Sequence, residues 1–456
     1  MNQFAIRFDG RVLMRGIGSN SLPPNLFQPR GSRRRRRAIA HTSLTFITRV
    51  APGSSAQLER LLAQIESDLP RNPRLPFASL KSLHFASFVL LEDEEYGPYL
   101  VFENNFDGPL DAYLDELLQH AGGGLHEIYS CCTEYTARGT DERQKLASYL
   151  RAHVVRPDAY HIGNVGRSAE RIRREAILRD RIEVFLDGLV KAGTAHEPPA
   201  ALRQRIQRFV QDDPSLAWAA GVKPRQTLSE RLMPWATIVA LVLCALVLLP
   251  VLLPAALIWV LVLRRHEQRD PKEVPRANAA HVERLAEQED RIVQNHYAGI
   301  FPVKPGRFRR VTLRLVLRVT NLIARTASKG VLLGIPSIHF AHWTLIDEGR
   351  RLLFLSNYGG SWANYLDDFI DKASFGLTGI WSNTTDFPPT RFLVLDGSRD
   401  GPRFKSFARD KQTVTNVWYS AYRDSTVQNI DNNSAIREDL FTTLDETAVR
   451  SWLRRF

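Results

Sequence analysis

From Leu44 the chain reads LTFITRV, alternating as a strand with one buried face. SSAQLERLLAQIESD from Ser54 changes to helical spacing, with Ser54 or Ser55 at the cap. LHFASFVLL from Leu83 and PYLVFENNF from Pro98 return to strand, parted by the turn-prone EDEEYG. Leu110, Tyr113, Leu114, Leu117, Leu118 and Ala121 then make one helical stripe, and LHEIYSCC from Leu125 reads as a further strand. The predicted order is βαββαβ.

The same order returns later in the chain. NHYAGIFPV from Asn295 stands for the first strand and RFRRVTLRLVLRVTNLIAR from Arg307 for the first helix. SIHFAHWTLI from Ser337 repeats SLHFASFVLL from Ser82, and NYGGSWANYLDDFIDKASFGLTGIWS from Asn357 matches NFDGPLDAYLDELLQHAGGGLHEIYS from Asn105 without a gap. The second stripe is Trp362, Tyr365, Leu366, Phe369, Ile370 and Ala373. Each copy adds a tail of helix, strand and helix, the strand holding Tyr160 or Trp418 and the last helix starting near Ser168 or Thr426.

Between the copies, Trp235 to Leu263 carries no charge, and about twenty such residues cross a bilayer as a helix. Trp235 and Trp259 near its ends, with Arg231, Arg264 and Arg265 beside it, suit interfacial anchors. Its place in mid-chain excludes a cleavable signal peptide. Pro250 and Pro254 argue against a straight span and predict either one kinked crossing or a re-entrant hairpin with these prolines at its tip. Pairing of the two copies would require the hairpin. Basic residues on both flanks would then hold both copies in the cytoplasm.

This divides the chain into a disordered basic arm (1–42), a first repeat (43–190), a linker (191–234), the membrane segment (235–263), a juxtamembrane helical linker (264–292) and a second repeat (293–456). Composition agrees: the chain has 456 residues, 44% apolar and 24% charged, which excludes a mostly disordered protein. Cys131 and Cys132 are neighbours and Cys244 lies in the apolar run, so no disulfide framework is indicated and a reducing compartment fits. The excess of 61 Lys and Arg over 49 Asp and Glu favours an anionic partner.

A βαββαβ unit is the ferredoxin-like motif. Two in tandem make an α+β fold that resembles the dimeric α+β barrel superfamily, where paired ferredoxin-like sheets enclose a space. That superfamily includes dye-decolorising peroxidases, chlorite dismutases and small monooxygenases, so the resemblance implies a pseudo-dimer and, under one reading, haem as cofactor. His84 and His339 occupy the same place in both copies, where they would ligate haem iron, exchange protons, or merely bond backbone at a sheet edge. The peroxidase motif GxxDG is matched only in part by NNFDG from Asn104, which keeps Asp107, while SNYGG from Ser356 lacks the aspartate. Asn105 and Asn357 read more simply as strand-to-helix turns with Gly108 and Gly360. Tyr113 and Tyr365 read as core residues with satisfied hydroxyls. HExxH, CxxC, GxxxxGK[ST] and GxSxG are all absent, so no metal site is expected and familiar hydrolase and nucleotide chemistries lose support.

Arg33, Arg34, Arg35, Arg36 and Arg37 form a basic run without a nucleic-acid recognition motif, which favours anionic lipid headgroups over nucleic acid. On the helix from Arg307, Arg310, Arg314, Arg318 and Arg325 share one face and Val311, Leu315, Val319 and Leu322 the other. That suits packing on a sheet with the basic face outward, and it also suits a membrane-surface helix. The expected function is a membrane-anchored binding or scaffold protein at an anionic surface, holding a small apolar ligand between its sheets. The alternative is a haem peroxidase or monooxygenase. Expected partners are the bilayer, its anionic lipids and, by self-pairing, a homo-oligomer.

Overall fold

The computed structural model describes residues 40–456 except 94, 137–141, 194–196, 222–238, 240–242, 244–246, 327–331 and 333. The arginine run 33–37, Trp235 and Cys244 lie outside the described residues. The strands are β1 (His41–Arg49), β2 (Leu83–Leu91), β3 (Tyr99–Asp107), β4 (Val154–Val155), β5 (Ala159–Ile162), β6 (Gln294–Pro302), β7 (Ile338–Ile346), β8 (Arg351–Gly359), β9 (Thr390–Arg391), β10 (Leu395–Asp396), β11 (Gln412–Thr413) and β12 (Val417–Ser420).

The fold is α+β, with two five-stranded antiparallel sheets. Their orders correspond position by position: β12-β2-β3-β1-β4 in one and β5-β7-β8-β6-β11 in the other. Each sheet takes its end strand from the far part of the chain. Trp418 in β12 pairs with Ser87 in β2, and Tyr160 in β5 pairs with His342 in β7. The tails carrying Tyr160 and Trp418 are thus exchanged, and residues before and after the apolar segment belong to one compact unit.

Alternation within the strands sets the layers. Leu100, Phe102 and Phe106 of β3 pack outward against the helices Ser55–Ser67 and Leu110–Tyr129, through Leu58, Leu62, Leu114 and Leu117. Val89, Leu91 and Val101 point the other way, meeting Ala298, Leu353 and Leu355 of the second sheet. Helices Ala169–Lys191 and Val427–Asp439 follow the exchanged strands, starting where the sequence suggests and capped by the side chains of Ser168 and Thr426. Ile172 and Ile430 from these helices join Phe85, Phe340 and Tyr422 in a small core of their own.

Three expectations are corrected. LHEIYSCC is not a strand: Leu110–Tyr129 is one continuous helix, because Leu125, Ile128 and Tyr129 extend the buried stripe of Leu114 and Leu118. The short β4 pairs beside β1 instead. The basic arm ends earlier than residue 42, since His41 and Thr42 already pair with Asp107 and Phe106. Pro254 lies inside the helix Leu249–Glu267 and Pro250 in its first turn, where a missing N–H costs nothing, so the two do not together form a hairpin tip.

Candidate functional site

The register between β2 and β3 breaks between Leu83 and Phe85, and that between β7 and β8 between Ile338 and Phe340. Each break leaves one extra residue, His84 or His339, on a β-bulge, a device that re-aims a side chain. Main-chain carbonyls at the bulges accept from the ends of the exchanged strands, His84 from Ala421 N at 2.9 Å and His339 from Gly163 N at 2.8 Å. The two predicted histidines are brought together and buried. His84 packs on Phe340 at 5.2 Å, His339 on Phe85 at 5.3 Å, and Tyr422 lies 5.8 Å from each imidazole.

Their polar surroundings differ. His84 Nε2 is 2.9 Å from Asp107 Oδ1 and Nδ1 is 3.0 Å from the Tyr422 hydroxyl. Neither ring nitrogen of His339 has a hydrogen-bond partner among the described residues. Strand pairing gives the reason: Asp107 stands opposite His41, whereas the corresponding pair in the second sheet is Gly359 opposite Gln294. Burial pushes the His339 imidazole down to about 3, aided by His84 nearby. Burial also lowers His84, against the pull of Asp107.

His41, His84 and Asp107 offer ligand atoms within 4.8 Å of one another, close enough to consider a metal. The hydrogen bonds oppose it. Gly166 N–H donates to His41 Nε2 at 2.8 Å, which leaves the ring proton on Nδ1, 3.0 Å from Asp107 Oδ1. A metal on Nδ1 would force that proton onto Nε2, against the Gly166 N–H. Asp107 also accepts from Ala169 N at 2.9 Å at the start of a helix. Burial alone would raise its carboxyl, but the bonds from His41, His84 and Ala169 hold it well below the usual range. The trio is a carboxylate tether joining β1, β2, β3 and the helix Ala169–Lys191.

A second polar cluster lies between the sheets. Glu103 is fully buried and accepts from His296 Nε2 at 2.8 Å, Ser87 Oγ at 2.9 Å, Asn105 Nδ2 at 2.8 Å and Asn357 Nδ2 at 3.0 Å, with His342 Nε2 at 3.3 Å. Burial would raise the Glu103 carboxyl, yet His296 and His342 hold it well below its ordinary value. Asn105 and Asn357 are therefore interior strand residues, not turn residues. His296 Nδ1 lies 2.8 Å from Thr415 Oγ1, and Trp418 Nε1 donates to Asn357 Oδ1 at 2.8 Å. His296, Thr415 and Trp418 line a cleft of about 580 Å³ at the edge of the sheets. Tyr113 and Tyr365 are core residues whose hydroxyls donate to Asn104 and Ser356.

The residues at the paired histidines do not fit haem. Phe85 and Tyr422 pack on His339, and both nitrogens of His84 are engaged.

Elsewhere the surface is unusually apolar. Leu249–Glu267 is the one helix among the described residues long and apolar enough to cross a membrane. Leu253, Leu257 and Leu261 are exposed, while its C-terminal end is anchored through buried Leu263 and Glu267. Trp259 Nε1 donates to Thr312 Oγ1 at 3.2 Å, setting this helix beside Arg307–Thr326. On the latter, Leu313 and Leu317 are buried, and Val311, Leu315 and Val319 are 51%, 48% and 57% exposed. Packing of that aliphatic stripe on the sheet is thereby corrected; Arg314 and Arg318 are exposed beside it. Phe392, also exposed, tips the β9–β10 hairpin, where it and Leu393 have φ of 51° and 72°. Both N–H groups donate to the Glu267 carboxylate, at 3.0 and 2.7 Å, which holds this strained turn against the end of the apolar helix.

No family model, no curated protein and no solved structure matches this chain. His41, Glu103, His296, His342, Thr415 and Tyr422 were missed by sequence reasoning. Polar residues at inward positions of apolar strands, as in YLVFENNF and IHFAHWTLI, are the signal that could have found Glu103 and His342.

Proposed function

We propose that this chain is a membrane-attached binding module that lays one face of its second half on an anionic bilayer. The observation that carries the reading is two exposed aliphatic rows, Leu253, Leu257 and Leu261 on one helix and Val311, Leu315 and Val319 on another, the two helices being linked by the Trp259–Thr312 hydrogen bond. Isolated apolar residues on a surface need no explanation, but contiguous ones mark an interaction site. Arg314 and Arg318 flank the stripe, and each contributes about 1 kcal/mol near anionic headgroups.

The exchange of β5 and β12 supports a pseudo-dimer of ferredoxin-like units akin to the dimeric α+β barrels. It also bears on topology. Parts of the chain that share sheets across the apolar segment lie on one side of any bilayer, so the segment enters and returns. Basic residues on both flanks of the segment favour a cytoplasmic side for both halves.

Alkaline extraction of membranes from cells expressing the full chain tests this. The protein stays in the pellet, and replacing Leu253, Leu257 and Leu261 by Asp releases it. A wild-type protein found in the soluble fraction contradicts the reading.

A further inference from the structure

We propose that Thr415, His296 and Glu103 form a nucleophile, base and positioning carboxylate for acyl transfer from small carboxylic esters bound in the cleft. Three observations converge. The links are short and sequential: Thr415 Oγ1 to His296 Nδ1 at 2.8 Å, then His296 Nε2 to Glu103 Oε2 at 2.8 Å. Such a hydroxyl and imidazole within hydrogen-bond reach, with the base oriented by a third group, is the signature of an activated nucleophile. The buried carboxylate is fixed from every side by Ser87, Asn105 and Asn357, so His296 is held in one orientation. Thr415 and His296 line the cleft, and a cleft of about 580 Å³ is ligand-sized.

The loop bearing Thr415 is itself held in place. The next residue, Asn416, donates through its N–H to Phe88 O at 2.9 Å and accepts from Leu90 N at 2.7 Å. In the tautomer with its proton on Nε2, His296 donates to Glu103 and leaves Nδ1 to accept from Thr415.

The steps balance as follows. Thr415 Oγ1 bonds to the ester carbonyl carbon as its proton passes to His296 Nδ1. The carbon–alkoxide bond breaks, the same proton goes to the leaving oxygen, and an alcohol departs from acyl-Thr415. Water then gives a proton to His296 and bonds the acyl carbon. Thr415 leaves with that proton restored, so ester and water become acid and alcohol. Glu103 stays ionised throughout and acts only by positioning the imidazole.

The test uses the full chain, with p-nitrophenyl butyrate as ester and a fluorophosphonate as covalent probe. Expected are turnover above the buffer rate and an intact-mass gain of one phosphonyl group, mapped to Thr415. Thr415→Val, nearly isosteric, loses the label and at least about 100-fold in turnover, while Thr415→Ser keeps both. Glu103→Gln slows labelling without moving it from Thr415. An unlabelled wild-type protein, a label on another residue, or a folded Thr415→Val protein that turns over ester like wild type would each overturn the proposal.

Discussion

His84 and His339 hold the same strand position on matching bulges, each packed on the phenylalanine that follows the other and on a shared Tyr422, yet among the described residues one has two partners and the other none. One partner is lost at a register position, Asp107 in the first sheet against Gly359 in the second, and the other because the Tyr422 hydroxyl bonds His84 Nδ1. The outer helices diverge likewise. Ser55–Ser67 carries Glu59 and Glu66 and buries Leu58, Leu62 and Ile65, whereas Arg307–Thr326 is acid-free and leaves an aliphatic stripe in solvent. Matching strand order therefore preserves backbone hydrogen bonding and packing while side chains specialise, an interior carboxylate tether on one side and an exposed aliphatic face on the other.

The largest effect should follow loss of the tether. Asp107→Ala leaves His41, His84 and the Ala169 N–H without their acceptor, and removing one partner of a buried ionic cluster costs about 3–5 kcal/mol. Urea unfolding measures it. A loss under about 1 kcal/mol would make the two halves equivalent after all.

Acid sharpens the contrast. The folded-state value of about 3 for His339 lies below the unfolded reference of about 6.5, so below pH 6.5 the unfolded chain takes a proton that the folded chain refuses. Stability then falls as pH drops from 6.5 towards 3, by about 2 kcal/mol between pH 7.5 and pH 5 from this residue. His84 adds to the loss in the same direction. Asp107, lowered in the folded state, retains its contribution above about pH 3.9 and loses it only in stronger acid. His339→Phe should flatten the slope between pH 7.5 and 5, and an unchanged slope would show that His339 is not the group refusing the proton.

The smallest effect is expected at neutral pH. His339→Phe removes an imidazole with no hydrogen bond, so thermal unfolding should place it within about 1 kcal/mol of wild type or above it. His84→Phe, which strands Asp107 and Tyr422, should cost more than His339→Phe does. Equal costs would mean that packing, and not the tether, sets the value of both positions.

Much of the backbone was legible because each element carried its own period. The strands from Leu44, Leu83 and Pro98 and their counterparts read correctly, as did the helix starts near Ser168 and Thr426. Leu125–Cys132 misled because a short apolar run has no period of its own; continuity with Leu118 and Ala121 decided for helix. The site was legible only in part. His84 and His339 stood out by repetition, and Asp107 by its motif. Glu103 and His296 come from strands 193 residues apart, and only the joining of two sheets brings them within 2.8 Å. The exposed face of Arg307–Thr326 was equally hidden, since periodicity finds two faces but not which one a sheet covers.

The central claim is that the second half, and not the first, meets the bilayer. A nitroxide placed at Leu315 and, separately, at Gln57 of the first outer helix, in a chain with Cys131, Cys132 and Cys244 replaced, reports it most directly after reconstitution into anionic vesicles. Collision with dissolved oxygen should dominate at Leu315 and collision with a water-soluble nickel complex at Gln57. A Leu315 label as open to nickel as the Gln57 label would contradict the account.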